Sequence, residues 1–261
     1  PMIDQIQVFR ENVDIRLAVA ASRSNVLSIL YYSLYSSEFR REMRAVLLAR
    51  KRYYQSRSGF NPSSFLLRRN IHRLEKGLIM RPRRPVFGEG YINETIDYLG
   101  RCIDVKCLST GELSWAQAVI AEYFLAVEST EIVDRARASF DKITQSLVNA
   151  ASNKSHAPQA YSDLVPSKVS FDDFKALCQK RHSVRWFEPT PVPREMLDAA
   201  IDVAATAPSA CNRQPFKFYV FDEPARAQEI GAIPMGTAGF AQNFQAVVVV
   251  VGDLSAYPFE K

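Results

Sequence analysis

The sequence predicts an α+β protein in which a long helical part precedes a smaller part with both helices and strands. Apolar residues recur at three- and four-residue steps through most of the first 150 positions, as in helices with one buried face. Two runs rich in aromatic and β-branched residues, 216–221 and 246–251, follow much later and are separated by a helical segment. A polar stretch interrupted by prolines lies between the two parts.

The first part, residues 1–150, is predicted to form a mostly helical N-terminal domain. A chain of 261 residues with 47% hydrophobic content can bury a sizeable core and form more than one structural unit. In the segment that follows Ser63, apolar residues at Leu66, Ile71, Leu74 and Leu78 share one face. The six predicted helices lie near residues 12–34, 38–54, 63–78, 92–107, 114–127 and 131–149.

Residues 151–169 are polar and contain prolines, which is typical of a connection between structural units. We therefore predict a linker there, followed by a second domain over residues 170–261. Ser170 and Asp173 have the spacing of a capping box, which begins the first helix of that domain.

The two predicted strands of the second domain are joined by a short helix over residues 223–231. The second strand, 246–251, is an uninterrupted apolar run, and we expect it to be fully buried.

One stretch of the second domain, residues 180–216, carries the candidate chemistry. Arg181, Ser183 and Arg185 alternate along the chain at its start. That spacing lets two guanidinium groups and one hydroxyl converge on a single anion.

A helix predicted over residues 194–207 separates this basic loop from a second, small polar loop. Pro193 suits a first helical turn and Pro208 cannot continue the helix, so both ends are marked. The helix would be about 21 Å long, which places its flanking loops far apart within one subunit. A small cofactor bound by both loops would therefore lie between two subunits, which predicts a homodimer with shared sites.

These two loops resemble the opening of the nitroreductase family of FMN flavoproteins. The resemblance lies in RHSVRWF, followed by PVP, a helix and APSACNRQPF, and it covers about residues 171–253. The family pattern is a basic-Ser-x-Arg loop, a helix, and a Pro-Ser-x-x-Asn-x-Gln-Pro loop that leads into a strand. The resemblance implies a nitroreductase-like FMN fold for the second domain.

The resemblance also implies which residues bind FMN and what the protein does. The first loop would hold the FMN phosphate, and the second loop, from the partner subunit, would line the flavin ring. NAD(P)H would give a hydride to FMN, and an unknown small acceptor would then take the electrons, so no catalytic acid or base is expected. The cofactor-binding residues on this basis are Arg181, His182, Ser183, Arg185, Pro208, Ser209, Ala210, Asn212 and Gln214.

An alternative function stays open at this point. Either loop alone could be ordinary, with arginines at a solvated helix end and a plain turn around Asn212. Members of the family also continue with further helices and a strand beyond the second predicted strand, whereas this sequence ends at Lys261, which implies an incomplete C-terminal part. The alternative is a non-catalytic dimeric binding or regulatory protein, with a degenerate flavin domain and a basic helical domain that binds an anion.

Positive charge is concentrated in residues 36–86. This block holds fourteen Lys or Arg against three Glu, a net charge of +11, although the whole chain carries only +5. Any single arginine there is best explained as part of a solvated helix face. The cluster as a whole predicts an anionic ligand or surface as partner. Nucleic acid is the less favoured partner, because no base-reading motif is recognisable.

The HRLEKGL–RPRR stretch inside this block resembles one that accompanies nitroreductase-like domains in proteins linked to bacterial polysaccharide biosynthesis. That resemblance implies an anionic glycan, a nucleotide-sugar or a membrane surface as the partner.

The remaining composition predicts a cytoplasmic protein without a metal site. The four cysteines form no CxxC pair, and the three histidines have no metal-ligand spacing. The first residues lack the layout of a signal peptide, and the longest candidate membrane stretch, 26–35, is too short to span a bilayer. We therefore expect no transmembrane segment.

Overall fold

The computed structural model describes residues 2–58, 62–145 and 157–257, with side chains from Asn12 onward. Its α-helices in this part of the chain are α1 Met2–Ala21, α2 Asn25–Leu30, α3 Arg40–Arg57, α4 Ser64–Ile79, α5 Glu89–Asp104, α6 Thr110–Ala126, α7 Glu131–Gln145, α8 Phe171–Lys180, α9 Arg194–Ala205 and α10 Pro224–Gly231. Two strands, β1 Phe216–Phe221 and β2 Val247–Gly252, flank α10. The α+β class is confirmed, with a helix-rich chain and one small sheet.

The main hydrophobic core lies among α4, α5, α6 and α7. The predicted apolar face of α4 is confirmed, because Leu67, Ile71 and Leu74 are almost completely buried. They pack with Ile92 and Leu99 of α5 and with further side chains of α6 and α7. Burial of each such side chain contributes about 1.5–3 kcal/mol, so this cluster is the main source of stability in the helical part.

A local signal determines where one of these helices begins. Ser109 and Glu112 form a complete capping box at the start of α6, with Glu112 N donating to Ser109 Oγ and Ser109 N donating to Glu112 Oε2. The sequence prediction began this helix at Ser114, several residues too late. Residues 146–149 of the predicted last helix lie outside the described residues.

The first three helices expose many large apolar side chains. The predicted single helix over residues 12–34 is interrupted at 22–24, where Ser24 caps α2, and a short π-helical turn, Tyr31–Tyr35, follows α2. In the described ranges, no helix combines the length and the apolar character that crossing a bilayer requires.

The second part of the chain contains a two-stranded antiparallel sheet. Phe216 lies opposite Gly252 and Phe221 lies opposite Val247. The expectation that β2 is fully buried is wrong, because Val248 is 41% exposed and Val250 is 61% exposed. In an antiparallel sheet one face can remain open to solvent. On the other face, Val247 approaches Gly231 of α10.

Helices α8 and α9 lie at the surface, and neither contains a buried residue. The predicted cap of α8 is confirmed, since Asp173 N donates to Ser170 Oγ at 3.1 Å. Helix α9 has 12 residues and ends at Ala205, two residues before the predicted end.

The segment before α8 is described only in part. Residues 146–156 lie outside the described residues, and 157–169 form irregular chain with one 3₁₀ turn, Tyr161–Asp163. The domain boundaries themselves stay a prediction.

Contacts among the described residues join the two parts of the chain. Helix α3 packs against the 3₁₀ turn Leu254–Ala256, and α4 packs against the 3₁₀ turn Ala210–Asn212. The second contact brings the helical core to the polar loop that the sequence marks as a candidate ligand-binding loop.

Candidate functional site

The basic loop, residues 181–187, leaves α8 as irregular, exposed chain. Arg181 is the C-cap residue of α8, and its backbone N–H donates to the carbonyl of Cys178. Within the described residues, the side chains of Arg181, His182 and Ser183 make no hydrogen bond, ion pair or ring contact. Their donor groups are therefore available to a ligand.

The side chain of Asn243, which lies between α10 and β2, holds the backbone of the basic loop. Its side-chain Nδ2 donates to the carbonyl of Arg185 at 2.9 Å, and its Oδ1 accepts from the N–H of Phe187 at 2.7 Å. The Phe187 ring packs against Phe244 with ring centroids 6.1 Å apart. The loop backbone is thus fixed, while the Arg185 guanidinium lies over the ring of Phe240 at 5.9 Å.

The polar loop, residues 208–214, adopts an unusual backbone. Cys211, Asn212 and Gln214 all have positive φ, at 53°, 49° and 50°. Each non-glycine residue in the left-handed region costs about 1–2 kcal/mol. Ser209 offsets part of this cost, because its carbonyl accepts from Asn212 N at 2.9 Å and its Oγ accepts from Gln214 N at 2.8 Å.

Arg68 of α4 contacts this polar loop directly. Its Nη1 donates to the carbonyl of Asn212 at 3.0 Å, and its Nε donates to Glu112 Oε1 at 2.9 Å. The guanidinium also lies 5.5 Å from the centroid of Trp115. Burial alone would raise the pKa of Glu112, but the Ser109 N–H and the Arg68 guanidinium outweigh that effect and hold the pKa below its ordinary value. Arg68 is therefore fixed where it meets the loop.

Two further residues enclose the other side of the polar loop. Tyr257 donates from its hydroxyl to the carbonyl of Ala210 at 3.2 Å. The Arg213 guanidinium stacks on the Tyr257 ring at 4.5 Å and is 7% exposed, with Nε unpartnered within the described residues. The polar loop is thereby held by the helical core on one side and by the chain after β2 on the other.

The remaining predicted residues of this loop differ in what they contact. Gln214 donates from Nε2 to the carbonyl of Ala207 at 3.4 Å and approaches Asn212 Oδ1 at 3.5 Å. These bonds agree with a supporting role for Gln214. In the described part of the chain, the Pro208 side chain makes no polar contact. The Nδ2 group of Asn212 has no partner in that part either, so this amide group can donate to a ligand.

The two loops do not meet within one chain. The basic loop contacts Phe240 and Asn243, whereas the polar loop contacts Arg68 and Tyr257. The 12 residues of α9 span about 18 Å between them. The structure thus brings Arg181, His182, Ser183 and Arg185 together as one group. It brings Pro208, Ser209, Ala210, Asn212 and Gln214 together as another.

Sequence reasoning missed the residues that hold these loops in place. They are Arg68, Glu112, Arg213, Asn243 and Tyr257. Only Glu112 had a readable local signal, its capping-box spacing from Ser109. The others act through long-range contacts that no local pattern marks.

The donor groups fit an anionic, hydrogen-bonding ligand such as FMN. Within the described ranges, the two guanidinium groups of the basic loop have no carboxylate partner, and together with the Ser183 hydroxyl they suit a phosphate. The Nδ2 group of Asn212 suits a ring oxygen or nitrogen. Among the described residues, no group of three or more His, Cys, Asp or Glu could hold a metal ion.

Comparison with known proteins adds an independent finding. Residues 178–249 match the nitroreductase family. This range contains both loops, α9, β1, α10 and the first half of β2. The resemblance drawn from the two loops is therefore confirmed for this stretch of the chain.

Several curated relatives match a part of the chain. A 4-nitrobenzoate reductase of Pseudomonas putida is 44% identical over 57 residues, which are 22% of this chain and 25% of that protein. The CLA biosynthesis enone reductase of Lactiplantibacillus plantarum is 36% identical over 98 residues, 37% of this chain and 45% of that protein. An NADH dehydrogenase of Thermus thermophilus is 33% identical over 82 residues, 31% of this chain and 40% of that protein.

The chain thus spans less than half the length of each of these relatives. No solved structure matches the chain. The matched stretch is similar to oxidoreductases of the nitroreductase family.

Proposed function

We propose that the protein is an FMN-dependent oxidoreductase of the nitroreductase family, which passes electrons from NAD(P)H to a small acceptor. The observation that carries this proposal is the pair of loops inside the matched range 178–249. In the described part of the chain, both keep unpartnered donor groups while their backbones are fixed by other residues. Such preorganised donors bind a charged ligand with little further ordering cost.

Each loop has a separate role in this proposal. Arg181, Ser183 and Arg185 bind the phosphate of FMN, with His182 contributing backbone contact. Asn212 donates a hydrogen bond to the edge of the flavin ring, and the fixed backbone of residues 208–210 lies along the ring. FMN, when bound, supplies the hydride-accepting ring. The side chains of this protein then bind, orient and shield that ring, and none needs to move a proton.

A homodimer follows from the separation of the two loops. If one FMN is held by both loops, the second loop must come from a partner subunit. The surface around the basic loop supports this, because Phe171 is 77% exposed, Leu177 67% and Trp186 69%. Large apolar side chains that are exposed in one subunit are typical of a protein interface. The open groove between α9 and β1, lined by Ile201 and Phe218, points the same way.

The alternative function, a non-catalytic dimeric binding protein, makes a different prediction. Purified protein of the proposed function is yellow, and NADH or NADPH bleaches its flavin absorption. Colourless protein that takes up no added FMN would favour the alternative. A role in polysaccharide biosynthesis and a cytoplasmic location stay predictions from the sequence.

The phosphate-binding role of Arg185 can be tested by replacing it with alanine. Loss of a charge-assisted contact to phosphate is expected to weaken FMN binding by about 10- to 100-fold. The measurement is flavin absorbance retained after dialysis, followed by titration with FMN.

Arg135→Ala is the matched control for this test. Arg135 is also an exposed arginine, and among the residues that the structure describes it pairs only with Glu131, one helical turn away. An exposed pair of this kind contributes little to stability, so FMN retention should equal that of the unchanged protein. Equal retention in both variants would contradict the assignment of Arg185.

A further inference from the structure

A second pocket lies in the helical part of the chain, away from both loops. It has a volume of about 620 Å³ and lies between the end of α4, residues 80–87 and the start of α5. This volume is within the usual range for small-molecule sites. None of the residues that line it belongs to the basic loop or to the polar loop.

The pocket is lined by four cationic side chains. Arg73, Lys76, Arg81 and Arg84 contribute to its wall, and within the described part of the chain no Asp or Glu lines it. In that same part, none of the four cations forms an ion pair with a carboxylate. Arg81 donates only to the carbonyl of Met80, at 3.2 Å. Four like charges around one cavity repel each other unless an anion lies among them.

The nearest acidic residue on α4 is turned to the other side of the helix. Glu75 accepts from Trp115 Nε1 at 2.7 Å, and it contacts His72 Nδ1 at 3.3 Å. It is therefore not available to neutralise the pocket. The sequence shows an excess of positive charge over residues 36–86. Among the described residues, the part of this charge that lines the pocket has no carboxylate partner.

The aromatic wall of the pocket is rigid. The Arg73 guanidinium stacks on Tyr91 at 3.7 Å from the ring centroid. Phe87 lies so close against Gly77 of α4 that a Cβ atom there would overlap its ring. The backbone of Phe87 is also fixed, because its carbonyl accepts from the Tyr123 hydroxyl at 2.8 Å. The pocket thus has a formed apolar wall beside its cations.

We propose that this pocket binds a small phosphorylated molecule with a planar or apolar body, of the class of the nucleoside diphosphates. Guanidinium groups match phosphate geometry, and several cations together call for more than one negative charge. Phe87 and Tyr91 add apolar aromatic surface to the pocket lining, which suits the uncharged part of such a ligand. The pocket is a concavity of small-molecule size, so the ligand is not a polymer lying across a flat basic face.

Binding of ADP and of pyrophosphate tests this proposal on the full chain, by titration calorimetry at low salt. ADP is expected to bind saturably at one site per chain and more tightly than pyrophosphate, because only ADP has a ring for the aromatic wall. Replacement of Arg84 by glutamine is expected to weaken ADP binding at least about tenfold. Unfolding curves of this variant should match those of the unchanged protein, because Arg84 is exposed.

Two control variants distinguish binding in the pocket from binding to the general basic surface and from binding at the basic loop. Arg83→Gln removes the neighbouring exposed charge, which does not line the pocket, and should leave ADP affinity unchanged. Arg185→Ala should also leave it unchanged, which distinguishes this site from the proposed FMN site. The proposal is overturned if neither ligand binds, if ADP and pyrophosphate bind equally, if Arg83→Gln weakens binding as much as Arg84→Gln, or if Arg185→Ala abolishes it.

Discussion

Replacement of Arg68 by methionine is expected to lower the free energy of unfolding by about 2–3 kcal/mol and to weaken FMN retention. The Arg68 side chain is 17% exposed and that of Glu112 is 18% exposed, so their ion pair is largely shielded from water. Removal of one partner from a buried pair costs about 3–5 kcal/mol, and the remaining exposure lowers that figure. Equilibrium denaturation in urea measures this loss.

The second effect of this substitution reaches the proposed flavin loop. Without Arg68, the carbonyl of Asn212 loses the hydrogen bond that comes from α4. The three residues with positive φ are then held mainly by Ser209 and Tyr257. We expect the loop to sample other conformations and to present the Asn212 amide less often. Arg68 is thus a positioning residue, since it acts through the loop and not on the ligand.

Glu112→Gln separates stability from loop positioning. This variant loses the ion pair but leaves Arg68 able to donate to Asn212, so it should be destabilised while FMN retention stays close to normal. A result in which Arg68→Met and Glu112→Gln reduce FMN retention equally would contradict a positioning role. The double variant should be less destabilised than the sum of the single ones, because the two residues share one interaction.

The same pair gives a stability change with a defined pH direction. The pKa of Glu112 is lower in the folded protein than in the unfolded chain. Its contribution is therefore fully present above the unfolded pKa, and it is lost as the pH falls through the folded pKa. Arg68→Met should flatten this acid-side loss of stability, and denaturation curves at a series of acidic pH values measure the change.

The elements of this fold could be predicted where a local pattern determines them. Helix α4 and strand β1 were both recognised, since the period of their apolar residues is a property of consecutive positions. The burial of β2 was not, because it depends on what covers the sheet. A run of valines predicts a strand, but the same run fits a buried or a half-open face.

A related reason explains why the contacts that fix the two candidate loops could not be predicted. Arg68 and Asn212 are 144 positions apart, and Asn243 and Arg185 are 58 apart. Such pairs are decided by tertiary packing, and a single sequence contains no local record of them. The two loops themselves could be recognised only because their amino-acid sequences follow the pattern of the nitroreductase family.

The basic block shows the same limit in its charges. Among its arginines, Arg68 pairs with Glu112, and Arg69 contacts Asn70 and lies 3.8 Å from Glu94. Arg73 and Arg84 pair with no carboxylate in the described ranges. The sequence predicts an excess of +11 over residues 36–86. Only the structure separates the cations that stabilise the fold from those that remain available to a ligand.

Replacement of Gly77 by alanine is expected to lower the free energy of unfolding by about 2 kcal/mol, although alanine normally favours a helix. In an open helical position this substitution stabilises by about 1 kcal/mol. At Gly77 the new Cβ atom would lie closer than 3.0 Å to two ring carbons of Phe87. The ring must therefore leave α4, and it loses both its burial there and its edge contact with Tyr123 at 5.1 Å.

Gly100→Ala and Phe87→Ala show whether this clash is the cause. Gly100 lies within α5. Among the described residues, a Cβ atom there would meet only Ile143 Cδ1, at an ordinary 3.5 Å, so alanine there should be neutral or stabilising. In a Phe87→Ala background the ring is gone, and Gly77→Ala should no longer destabilise. If Gly77→Ala destabilises equally with and without the ring, the contact between α4 and Phe87 is not what requires glycine at this position. Phe87 also forms part of the aromatic wall of the cationic pocket. Displacement of its ring by Gly77→Ala should therefore weaken ADP binding as well. The packing of α4 is in this way linked to the proposed ligand site.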